Sequence, residues 1–240
     1  MKKFWEVKQS ANTKEADISI YGEIVSYKWN DTDTTAASFQ KDLKALGDIE
    51  QINLHVNSPG GSVFEGIAIG NILKQHKATV VAHVDALAAS IASVIVASAD
   101  KVVMPENSML MIHNPWTYSV GNAKALRKQA DDLDKIAESS VITYLSKGGD
   151  KLSEAKIKQI MDEETWLSAV EALEIGLCDE VTETVQIAAC VSKELFQKYN
   201  NVPKEFESTT QSLNEEKARQ KMIEEAKQNN ALIGAIIGGL

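Results

Sequence analysis

Residues 78–99 constrain the fold more than any other stretch. Apart from His83 and Asp85 they carry no strongly polar side chain, and alanine, valine, isoleucine and serine dominate. A lipid-facing helix is excluded, because Asp85 sits mid-stretch and alanine and serine are poor material for contact with hydrocarbon. The segment must therefore be buried in protein, as a strand over 79–84 running into a helix over 90–98. A strand apolar on both faces belongs inside a largely parallel sheet covered by helices, which predicts an α/β domain.

The flanking sequence repeats this alternation. Residues 17–22, 52–57, 101–104 and 109–113 read as further short strands. Thr34 and Thr35 precede Ala36, Phe39, Leu43 and Leu46 at helical spacing, the pattern of a capped helix. A second helix is expected over 63–76, with Ile67, Ile69, Ile72 and Leu73 inward. From Ala123 to about Ser146 a long amphipathic helix is expected, exposed, with Leu126, Ala130, Leu133, Ile136 and Val141 on one stripe. Shorter helices follow over 152–161 and 169–174, the second closed by Gly176. The domain expectation is a folded unit over 1–190 and a charged, mobile tail over 191–240. The apolar run 231–240 is too short to span a bilayer.

The 240 residues include 25 basic and 34 acidic side chains, a net charge of −9, and no basic stripe, which argues against a nucleic-acid binder. A hydrophobic content of 44% excludes global disorder. Cys178 and Cys190 have neither disulfide-scaffold density nor metal-ligand spacing. The first residues show no apolar run or cleavage site of a secretory signal, so the expected location is the cytoplasm, away from membranes.

Three local features carry chemistry. Asn57-Ser58-Pro59-Gly60-Gly61-Ser62 joins a strand to a helix, and its paired glycines let backbone amides approach a ligand near a helix N-terminus. No lysine follows, as a phosphate loop would need. Ala88-Ala89-Ser90-Ile91 sets a serine at a helix start with small neighbours; taken alone, it is also where an N-cap serine stands. Met111-Ile112-His113-Asn114-Pro115 ends an apolar strand on a histidine, a placement suited to a general base. His55, His76 and His83 compete for that role but sit in strands or at a helix end.

In this order the motifs resemble those of the Clp protease proteolytic subunit family, the ClpP-like serine peptidases. The block Trp166-Leu167-Ser168-Ala169, with Glu171-Ala172, Ile175-Gly176-Leu177 and Asp179, is similar to that family's closing segment. The resemblance covers roughly residues 18–181. It implies a ClpP/crotonase-like fold of repeated strand-strand-helix units with an outlying long helix. It also implies serine endopeptidase activity without a cofactor, polypeptide substrates and a homo-oligomeric ring.

The resemblance makes Ser90 the nucleophile and His113 its base, with the amides of Gly61 and Ile91 as the oxyanion hole. The family's third triad member lies two residues before the aromatic of the closing block. That position is Glu164 here, where the family more often has aspartate; Asp162 and Glu163 remain rivals. Ala86 and Ala92 replace flanking glycines. A Clp-type ATPase unfoldase is the family's partner, but the N-terminal segment, which helps form gate and docking surface in cellular members, does not match. The short N-terminus, the stretch Ser58–Gly66 and the charged tail look more like phage members that cut capsid and scaffold proteins during prohead maturation. Three readings compete. A crotonase-type acyl-CoA enzyme would not need Ser90 and His113 together. A signal-peptide peptidase would use a lysine base and an anchor. An idle structural subunit would not need the intact pair.

Overall fold

At the centre of the fold, β3 (Gln51–Ser58) and β4 (Thr79–Ala89) run parallel, in a sheet whose strands are so apolar inward that Ile52, Leu54, Val56, Ala82 and Val84 are fully buried. The computed structural model describes residues 3–9, 13–26, 35–184, 199 and 201–202. Every element named below lies in the unit Met1–Cys190. The boundary expected at 190/191, Cys190 and the stretches within 203–240 fall outside the described residues.

Among the described residues, eight strands form one sheet. β1 (Trp5–Gln9) pairs antiparallel with β2 (Glu15–Tyr21), and β2, β3, β4, β5 (Lys101–Pro105) and β8 (Glu180–Thr182) then follow in parallel. The first half of β4 pairs with β5, and its last residues pair with β6 (Met109–Ile112). β6 in turn takes β7 (Thr165–Ser168) antiparallel on its far side. The hand-over along β4 splays the sheet and carries one branch to the site.

The helices follow the sequence reading closely. α1 (Ala36–Ala45) is capped by Thr35 in a reciprocal box with Ser38, and buries Ala36, Phe39 and Leu43. α2 (Val63–Lys74) differs in its inner face: Gly66, Ile69, Gly70 and Leu73 are buried, while Ile67 and Ile72 are only partly so. Its glycines permit close approach, since a Cβ on Gly66 would stand 2.2 Å from Ile91 Cγ1. α3 (Ile91–Ala97) is buried along its whole length. α4 (Ala123–Gly148) is longer than expected and its stripe is only half used: Ser140, Val141 and Tyr144 are buried, whereas its first turns project into solvent. α5 (Glu154–Asp162) and α6 (Ala169–Glu174) complete the unit, α6 ending before Gly176 at φ +79°.

Three strands went unread in the sequence: β1, β7 and β8. β4 also continues to Ala89, beyond Val84, because β6 supplies partners for its alanine-rich end. Among the described residues no helix is long and apolar enough to cross a membrane.

Candidate active site

The end of β4 places Ser90. The register Ala89↔Met111 and the bond from the Ser90 amide to the Met111 carbonyl at 2.8 Å fasten this strand end to β6. Ser90 then turns at φ 54°, ψ −130°, a conformation unusual for a residue with a side chain and one that costs about 1–3 kcal/mol. It stands at the N-cap position of α3, yet its hydroxyl caps no helix amide. The hydroxyl instead meets His113 Nε2 at 2.8 Å. The strained turn thus aims the oxygen away from its own helix and toward the base.

His113 directly follows β6, beside the strand end that carries Ser90. Burial lowers its pKa, and the charge of Glu164 opposes that shift by raising it. The β6–β7 pairing explains why Glu164 is the acid concerned. The last pair of that register is Ile112↔Thr165, which brings the next residues, His113 and Glu164, to the same end of the two strands. Glu164 is partly buried, with a left-handed φ of 48°. The rivals are exposed and engaged elsewhere: Asp162 accepts from Asn114 Nδ2 at 2.7 Å, and Glu163 accepts from Gln159 Nε2 at 2.8 Å.

The glycine turn lies against the serine. A Cβ on Gly60 would come within 2.7 Å of both the Ala89 carbonyl oxygen and Ser90 Cβ, and one on Gly61 within 2.0 Å of the Ile24 carbonyl oxygen. Both residues also have positive φ, +89° and +142°, so the site needs glycine there twice over. The segment around Ile24 pins the turn: Ile24 N donates to Gly60 O and Ser62 N donates to Ile24 O, each at 2.8 Å. The amide of Gly61 lies between these two bonds. Ile91 N–H, at the first position of α3, is free of any intrahelical role.

Together the strand end, the turn and the antiparallel β6–β7 pair assemble hydroxyl, imidazole, carboxylate and a glycine-turn amide, the parts acyl transfer requires.

The other histidines are placed differently. His76 Nδ1 accepts from the Ala78 amide at 3.1 Å. His55 and His83 stack across β3 and β4 with ring centroids 4.9 Å apart. His55 Nδ1 lies 3.0 Å from Asp85, which also accepts from Tyr21 OH at 2.5 Å. This cluster faces a cavity of about 890 Å³ over the sheet, which Ser90, His113 and Glu164 do not line. Its hydroxyl partner is Tyr21, and among the described residues no serine or cysteine lines the cavity. Two buried residues near Ser90 escaped the sequence reading, Ser93 and Tyr144. Among the described residues no group of His, Cys, Asp and Glu is arranged to hold a metal ion.

A family model described as Clp protease matches residues 8–185. The ATP-dependent Clp protease proteolytic subunit 1 of Protochlamydia amoebophila (strain UWE25) is 35% identical over 135 residues, 55% of this chain and 65% of that protein. The ATP-dependent Clp protease proteolytic subunit of Chlorella vulgaris is 34% identical over 142 residues, 58% of this chain and 69% of that protein. The chain thus spans about two thirds of the length of these relatives.

Proposed function

The chain belongs to the Clp protease family, and from that premise we propose that it is a serine endopeptidase whose machinery is Ser90, His113 and Glu164. The observation that carries the reading is the 2.8 Å contact between Ser90 Oγ and His113 Nε2, made by a serine whose backbone is strained toward it. Ser90 Oγ attacks the peptide carbonyl while its proton passes to His113 Nε2. Glu164 orients the ring and stabilises the imidazolium. The amides of Gly61 and Ile91 receive the oxyanion, which preorganised donors hold without reorganisation. The imidazolium then protonates the leaving amine, and a water deprotonated by His113 releases the acyl group.

The substrates are polypeptides, cut inside a homo-oligomeric ring. The finer reading is a phage protease acting on capsid and scaffold proteins, supported by the stretch Ser58–Gly66. Residues 5–9 run as an edge strand, with Lys3 and Trp5 tied to Asp42 at 2.6 and 2.8 Å. Labelling with a fluorophosphonate probe, followed by peptide mapping, tests the nucleophile. Modification of Ser90 is expected; an unlabelled chain would leave an idle subunit of the same fold. Digesting scaffold protein with and without an added ATPase and ATP tests the finer reading, and a strict need for ATP would sink it.

A further inference from the structure

We propose that Ser93 and Tyr144 are positioning residues that hold and polarise the Ser90–Ile91 peptide, so that its N–H is fixed as an oxyanion donor. The inference rests on the serine-peptidase reading above. Both residues are buried, at 1% and 2% exposure, and they stand 51 residues apart in the chain, one on α3 and the other on α4. Ser93 Oγ donates to the Ser90 carbonyl oxygen at 2.6 Å and meets Tyr144 OH at 2.7 Å. A serine hydroxyl has one proton. With that proton given to Ser90, Tyr144 must be the donor of the second bond. Burial pushes the Tyr144 phenol above its ordinary pKa, so it keeps the proton that it donates. The relay therefore has one direction, from Tyr144 through Ser93 to the Ser90 carbonyl.

That carbonyl belongs to the same planar, trans peptide as the Ile91 N–H, and the two groups point opposite ways. It also accepts from the Ser93 amide at 3.0 Å, so two donors fix its direction. Fixing the carbonyl fixes the N–H. Hydrogen bonds in series polarise one another, so donation into the carbonyl strengthens the N–H as a donor on the far side. The arrangement also holds the strained Ser90 backbone in place, at a position where an unassisted chain would relax.

The test is steady-state hydrolysis of a fluorogenic peptide by the full chain carrying Ser93→Ala, Tyr144→Phe or both. Ser93→Ala is expected to lower kcat about tenfold with KM unchanged, and Tyr144→Phe by a smaller factor in the same direction. The double variant should lose no more than Ser93→Ala alone, because Tyr144 acts through Ser93. Tyr144→Phe keeps the ring and so carries the test if Ser93→Ala fails to fold. Wild-type kcat in the folded variants would overturn the proposal, as would losses that multiply or that fall on KM. Ser90→Ala is run alongside: if it cleaves like the parent, the peptidase reading itself fails, a result distinct from every outcome of the relay variants.

Discussion

Gly60 and Ser90 occupy one another's space: the position a Cβ would take on Gly60 is 2.7 Å from Ser90 Cβ, closer than two carbons can pack. The glycine turn and the serine turn are therefore a single steric unit, although 29 residues separate them in sequence. Gly60→Ala should push Ser90 off His113 and cut peptide turnover about 10²-fold, the effect of roughly an ångström of misplacement. The same variant should lose stability, since Gly60 has φ +89°. Full turnover by a folded Gly60→Ala protein would show that the β4 end yields freely.

Ser90 itself should show a trade between strain and chemistry. Ser90→Ala is expected to lower turnover about 10³-fold or more while the fold remains. Ser90→Gly should be equally inactive yet more stable than Ser90→Ala by about 1 kcal/mol, because glycine adopts φ 54° without strain. Thermal denaturation of the two variants side by side decides it, and an equal or lower midpoint for the glycine variant would remove the strain argument.

His113 acts as a base only when neutral. Burial holds its pKa below the ordinary histidine value, so the neutral ring persists to lower pH, and the acid limb of kcat/KM should lie below about 6.5. Glu164 opposes that shift. Glu164→Gln removes the opposing charge, so the limb should move to still lower pH while kcat falls. Asp162→Asn should leave the limb where it is, its partner being Asn114. If Asp162→Asn moves the limb and Glu164→Gln does not, the third member is misassigned.

The parts of this site legible in the sequence are those set by neighbours along the chain. The paired glycines, the serine at a helix start and the histidine at a strand end each announce themselves within a few residues. The acid is marked only through the resemblance, by its place two residues before Trp166. Local sequence does not otherwise separate Glu164 from Asp162 and Glu163, and in the structure it is the charge of Glu164 that acts on His113. β7 and β8 escaped reading because at 4 and 3 residues they exist by pairing rather than by propensity. β1 is a polar edge strand in which only Trp5 is buried. Ser93 and Tyr144 could not be paired at all, since a serine in an alanine-rich helix and a tyrosine in a long one have no local mark of their bond.

The first turns of α4 are the last feature with a measurable consequence. Residues 123–131 are all exposed, Leu126 at 43%, and the chain leading in exposes Trp116, Tyr118 and Val120 at 50, 90 and 102%. Aromatic and aliphatic surface of this kind, on a helix half supported by its own core, gains most by burial against another copy. The same helix carries Tyr144 to the site at its other end, so assembly would steady the element that reaches the nucleophile. Light scattering after size-exclusion chromatography should give a mass several times the 26.2 kDa chain. Leu126→Asp combined with Tyr118→Ser should shift that mass toward the monomer and lower peptide turnover with it. A monomer with full activity would contradict both the ring and its support of catalysis.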